Sequence, residues 1–121
     1  MTPNGLAGSM GLNGMSLLLA LSGRFPDIAI VETHPKVLYW ALVQKRYDYT
    51  STKVDMDCML SDALGAIITT TNEHEWDALF SAFAAASGVL GHWANDLHTL
   101  PTREGERLTT PCGKTNYYWP E

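Results

Sequence analysis

An α/β fold, with buried strand packed by helices, is what this sequence predicts, and three features predict it. Asp27 to Glu32 (DIAIVE) is an almost continuously apolar run ending in a carboxylate, the pattern of a strand covered on both faces. Asn72 to Ser87 carries an apolar stripe at helical spacing behind a capping box. Between them, residues 35–44 and 54–64 each place their apolar side chains on one helical face.

The opening MTPNGLAGSMGLNG is rich in glycine and reads as a loop feeding a helix that starts near Ser9 or Leu12 and ends at Leu21, with Gly23 as its stop. After the Asp27–Glu32 strand, Pro35 stands where the first turn of a helix tolerates proline best. Val37, Leu38, Ala41 and Leu42 then share one face of a helix over 35–44, and Lys45-Arg46 suits the negative end of its dipole. Tyr47 to Lys53 reads as a loop. Val54 to Leu64 is helical, with Met56, Met59, Leu60 and Ala63 on one side and Gly65 after it. Ala66 to Thr71 is β-branched and fits a short strand or a continued loop. In the 72–87 helix Asn72 is the N-cap and Glu75 its reciprocal partner; Trp76, Leu79, Phe80 and Phe83 form the stripe, and Gly88 ends it. Val89 to Leu97 can add a helical turn or two. From Leu100 onward the chain reads as an irregular tail, with a hairpin between Arg107–Thr110 and Thr115–Trp119 as its one regular option.

Length and composition set limits on function. A chain of 121 residues, 45% hydrophobic and 17% charged, suits a single globular domain over 1–121. Its net charge of −5 repels a phosphate backbone unless a metal ion or a partner chain supplies positive charge, so unaided nucleic-acid binding is expected to be weak. The two cysteines, Cys58 and Cys112, lack metal-ligand spacing and read as free thiols, small buried hydrophobes in a reducing compartment. Met15 to Leu21 is too short to span a bilayer and has no basic residue before it as a secretory signal would, which leaves the cytoplasm as the expected location and no membrane as a partner. The glycines at 8–14 precede a helix but no P-loop lysine or dinucleotide fingerprint follows.

Chemistry concentrates in two places. Glu32-Thr33-His34-Pro35 follows the predicted strand, at the end where open α/β sheets bind ligands. Glu73-His74-Glu75-Trp76-Asp77 opens the strongest helix, where Glu73 and Asp77 are four apart and His74 and Asp77 three apart, so each pair shares a face. Ionised carboxylates from a strand end and a helix start suit an oxygen-seeking Mg²⁺ or Mn²⁺, and two such ions activate water for phosphodiester hydrolysis. Each residue also has an ordinary role: first-turn acids complement a helix dipole, and a carboxylate at a strand end faces water. Trp40, Trp76 and Trp93 fit a core better than a base-stacking surface, whereas Trp119, within Tyr117-Tyr118-Trp119, is placed to pack across an open sheet face.

The segments ETHPKVLYWAL (32–42) and NEHEWDALFSAFAA (72–85) resemble a family of nucleases of ribonuclease-H-like fold catalogued as a domain of unknown function, and the likeness runs from the Asn4–Leu21 region to Tyr117-Tyr118-Trp119-Pro120. The resemblance implies a Mg²⁺- or Mn²⁺-dependent nuclease in which Glu32 matches the acid ending the fourth strand and Asp77 the acid of the last helix. His74 matches the neighbouring helix position, filled in the superfamily by a carboxylate or a histidine, and Glu73 is a weaker member of the same set. The family's first strands form a three-stranded meander carrying a further aspartate, and no Asp or Glu occurs here before Asp27. The expectation is therefore a partial ribonuclease-H-like fold, the C-terminal portion, with that meander absent from this chain and the site incomplete in isolation. A homo-oligomer, or another chain supplying the strands, would cover the exposed edge. The alternative expectation is a non-catalytic interaction or assembly module that keeps the fold.

Overall fold

Helices dominate the computed structural model, which describes residues 6–101, 103, 105 and 115–121. Among them the elements run α1 (Leu6–Arg24), α2 (Pro35–Val43), α3 (Tyr49–Leu64), α4 (Glu73–Val89), β1 (Asn95–Asp96), a 3₁₀ turn (Leu97–Thr99) and β2 (Tyr118–Trp119). The architecture is thus mixed α and β, with four helices and one two-stranded antiparallel sheet in which Asn95 pairs with Trp119 and Asp96 with Tyr118. Among the described residues no helix is long and apolar enough to cross a membrane.

The chain forms two compact units. One comprises residues 1–30 and 101–115; the other, residues 31–100 and 116–121, holds the core and every candidate site residue. In the first unit α1 runs beyond Leu21 and through Gly23 to Arg24, and the Arg24 guanidinium lies over the Phe25 ring.

In the second unit α2 starts at Pro35, as the sequence predicts, and stops at Gln44. Gln44 adopts the left-handed conformation (φ 55°); its N–H donates to the Trp40 carbonyl, and its side-chain Nε2 donates to the carbonyls of Trp40 and Ala41, closing the helix end. Leu38 and Tyr39 are the buried face; Val37 and Leu42, expected on the apolar side, are exposed, and so is Trp40, expected in the core. The predicted loop at 47–53 is largely helix. Asp48 caps α3 by accepting from the Ser51 N–H, and the helix bends at Thr52, whose hydroxyl donates to the Asp48 carbonyl. Gly65 ends it at φ 66°, a conformation that costs glycine little. No strand forms at 66–71, where Thr70 is buried in a polar network.

The capping box of α4 forms in modified shape. Asn72 Oδ1 accepts from the Glu75 N–H, while Glu75 reaches back to the N–H of Thr71 rather than of Asn72. The helix continues through Gly88 to Val89, and the Tyr118 ring fills the space that a side chain at 88 would need: a Cβ on Gly88 would stand 1.9 Å from that ring. Residues 95–96, expected as helix, are strand, and their partner is the tail segment 118–119. The Arg107–Thr110 arm of the expected hairpin lies outside the described residues.

The core consists of Leu38, Tyr39, Met56, Leu60, Trp76, Phe80 and Ala84, drawn from α2, α3 and α4. Tyr39, Tyr47 and Trp76 meet edge to face with ring centroids 5.6–6.0 Å apart. Trp76 also donates from Nε1 to the Met56 carbonyl at 3.0 Å, which ties α4 to α3 with its one polar atom satisfied. Trp119 and Trp93 pack on this core from its edge.

The expected buried strand is the main correction. Residues 27–32 form no strand; only Val31 makes a bridge, parallel, to Asn116, and Asp27 to Ala29 are exposed. An apolar run becomes a strand only where neighbouring strands meet its N–H and C=O groups, and here one tail residue does so. Cys58, expected to be buried, is exposed and free; Cys112 lies outside the described residues.

Candidate functional site

Glu32 closes the extended segment before α2. Its N–H donates to the Asn116 carbonyl at 2.8 Å, so its backbone is anchored by the tail. Its carboxylate Oε2 meets Nε2 of His98, with the carboxylate side chain 51% and the imidazole 32% exposed. His98 is equally fixed. Asp96 caps the 3₁₀ turn by accepting from the His98 N–H at 3.0 Å, Leu97 N–H donates to the Tyr117 carbonyl, and the Thr99 hydroxyl donates to the Asp96 carbonyl. The Asp96 carboxylate also accepts from the Tyr117 N–H (2.9 Å) and the Asn116 amide (2.8 Å). Burial pushes its pKa up, but these donors outweigh burial and hold Asp96 below the usual carboxylate value.

Asp77 stands in a different setting, one turn into α4. Tyr47 donates its phenol hydrogen to Asp77 Oδ1 at 2.7 Å, and the Lys36 ammonium lies 5.3 Å from the Tyr47 ring centre. Burial, then the bond to Asp77 and its negative charge, push the Tyr47 phenol well above its ordinary pKa, so it stays a proton donor toward that carboxylate. Glu73 and His74 are exposed at the start of α4, and Asp77 is half-buried.

A third polar cluster is structural. Buried Asp57 accepts from Lys53 Nζ (2.7 Å), Thr70 Oγ1 (2.6 Å) and Thr70 N–H (3.2 Å), and Tyr49 shares a hydrogen bond with the Thr70 hydroxyl. Every buried side-chain polar atom in the described residues has a partner, so this network leaves no group aimed at a ligand. A shallow recess at Arg24–Ile28 is lined by five consecutive residues and gathers no distant groups.

Of the residues singled out in the sequence, the structure thus pairs Glu32 with His98 and Asp77 with Tyr47, and leaves Glu73 and His74 open. Among the described residues no three His, Cys, Asp or Glu side chains converge to hold a metal ion. A two-ion site needs several carboxylates to offset the repulsion between its cations, so these donors do not fit such a site unaided. His98, Asp96 and Tyr47 are the functional candidates that motif reading missed. Asp96-Leu97-His98 carries one local signal, an aspartate able to bond the N–H two residues on. No family model matches the chain, and no curated protein or solved structure matches it.

Proposed function

We propose that this chain is a nuclease-like domain, part of a divalent-metal-dependent phosphodiester hydrolase whose site is incomplete in isolation. The observation that carries the reading is the solvent-open Glu32–His98 pair, an acid and an imidazole joined across 66 residues of sequence on fixed backbone. Such a pair takes a proton from an attacking water or returns one to a leaving oxygen. Asp77, held by Tyr47 one turn into α4, supplies a second carboxylate. A ribonuclease-H-like ancestry is part of the reading, supported by an acid three residues before α2 and another one turn into α4. The net charge of −5 agrees with a need for cations beside a phosphate substrate. No step through a metal ion follows from the described donor set; a second copy or another chain would complete it with further acids.

The test incubates labelled single- and double-stranded DNA and RNA with the purified chain and Mg²⁺ or Mn²⁺. Slow Mn²⁺-dependent cleavage is expected, rising more steeply than protein concentration and abolished by Asp77→Asn. Cleavage indifferent to both Glu32→Gln and Asp77→Asn, or none at any protein concentration, overturns the reading.

A non-catalytic assembly module is the second reading, favoured by large exposed apolar side chains: Val54 is 74%, Ile67 97% and Leu90 71% exposed in the second unit. On either reading the chain self-associates, and light scattering at micromolar concentration should give a mass above the monomer's 13.3 kDa.

A further inference from the structure

We propose that a second copy of this chain is bound by exchange of residues 116–121: each copy lays this segment in the other's slot, between Glu32 and residues 95–97. The inference goes beyond both readings of the function, which need self-association, by naming the surface. The slot grips an extended chain from two sides. On one side Glu32 N–H donates to the Asn116 carbonyl, beside the parallel bridge of Val31. On the other, Asn95 and Asp96 pair antiparallel with Trp119 and Tyr118, and Leu97 N–H donates to the Tyr117 carbonyl. The Asp96 carboxylate accepts from Tyr117 N–H and the Asn116 amide, and Gly88 leaves the notch that the Tyr118 ring fills. Strand addition of this kind reads backbone groups and one ring, so the same segment satisfies it equally from either chain.

Three observations favour the second copy as donor. The segment is separable: the chain leaves the second unit after Leu100 and returns at Asn116, and none of the buried core residues comes from the tail. At about 3.3 Å per residue, residues 101–115 can reach about 50 Å, more than the roughly 30 Å across a unit of this size. The crossing segment is also uncharged from Asn116 to Pro120, so it adds no repulsion between copies that each carry −5. Finally, apolar side chains stand uncovered beside the slot. Val89 (57% exposed) and Leu90 (71%) follow Gly88 directly, and Leu100 (54%) stands where the chain departs. In a single copy they stay in water, whereas crossing tails draw two copies together at these residues. The strand contacts are the same in both forms, so the covered apolar area is the net gain. Each Glu32 is then anchored by Asn116 of the other copy.

The wild-type chain carries the first test. Carbon-13-labelled and unlabelled full chains are unfolded together in urea and refolded, and isotope-filtered NMR selects contacts between differently labelled copies. Contacts from the Tyr118 ring of one copy to the Gly88 Cα hydrogens of the other are expected, at concentrations where light scattering reports a dimer. A monomer at every concentration, or a dimer whose Tyr118–Gly88 contacts all lie within one copy, overturns the exchange. Two variants give a second reading. Full chains bearing Gly88→Ala or Tyr118→Ala, made distinguishable by mass, are refolded together and their dimers counted by native mass spectrometry. Exchange joins an intact slot to an intact tail in every mixed dimer and in no dimer of one variant alone. Mixed dimers should therefore outnumber the two same-variant dimers combined by about fivefold or more. Equal numbers, the result of random pairing, place the interface elsewhere and overturn the proposal.

Discussion

Asp57 is the charged residue whose surroundings say most about stability. It is 7% exposed and accepts three hydrogen bonds, from Lys53 and from both donors of Thr70. Burial alone would raise its pKa; the Lys53 ammonium and the Thr70 donors outweigh burial, and the folded value lies below the ordinary one. A carboxyl with a depressed folded pKa contributes stability that is present above its unfolded pKa and lost as pH falls through the folded value. Asp96 acts in the same direction. The urea midpoint should therefore hold steady from neutral pH to about pH 5 and fall below about pH 4, and Asp57→Asn should flatten that acid limb. At neutral pH Asp57→Ala should cost about 2 kcal/mol, since it leaves the Thr70 N–H buried without an acceptor, while the Thr70 hydroxyl can still donate to Tyr49. A variant with wild-type stability and an unchanged acid limb would show that the network carries no weight. Sequence alone marks Asp57 as one more polar residue on a helix. Thr70, thirteen positions away, decides that it is buried and satisfied.

At the scale of elements, the close approach of β2 to α4 hinges on Gly88. The Tyr118 ring lies where a Cβ would be, at 1.9–2.5 Å from three ring atoms. Alanine in a helix is worth up to about 1 kcal/mol over glycine, while forcing an extra methyl into filled space costs about 1–3 kcal/mol. Gly88→Ala should thus destabilise on balance, and the sign should reverse in a Tyr118→Ala background, where only the helix preference remains. Denaturant titrations of the two single variants and the double close the cycle; a Gly88→Ala effect that is the same in both backgrounds would place the cost elsewhere. The helices most legible in the sequence are those whose signals are local: the Asn72 cap and the Trp76–Phe80 stripe of α4, and the Pro35 start of α2. The start of α3 carries such a signal too, Asp48 three residues before Ser51, which the neighbouring tyrosines mask. The 27–32 run illustrates the opposite case. Its apolar residues suit a strand, yet whether a strand forms depends on partners that the run does not encode, and only Val31 finds one.

For the whole molecule, the last residues matter out of proportion to their number. Residues 116–121 belong to the second unit with residues 31–100. They supply the acceptors for Glu32 N–H and Leu97 N–H, two of the donors on Asp96, the second strand, and Trp119 against the core. Removing them should cost about 3 kcal/mol or more, at about 1 kcal/mol for each lost hydrogen bond, and should separate Glu32 from His98. Urea denaturation of the chain ended at Thr115 measures the first effect, and the loss of any response of the His98 imidazole signals to Glu32→Gln measures the second. An unchanged midpoint would mean that the tail merely rests on the unit. The sequence by itself determined the position of three of the four helices, the Asn72 cap, Trp76 and Phe80 as core, and the acidic balance. Each of these follows from interactions within about four residues or from composition, which periodicity reports directly. Only the tertiary structure decided that Glu32 meets His98, that Asp77 meets Tyr47, and that residues 95–96 pair with the tail. Those contacts join residues 20 to 66 positions apart, and a pairing across that distance is selected by packing of the whole unit, leaving no periodic trace in either segment alone.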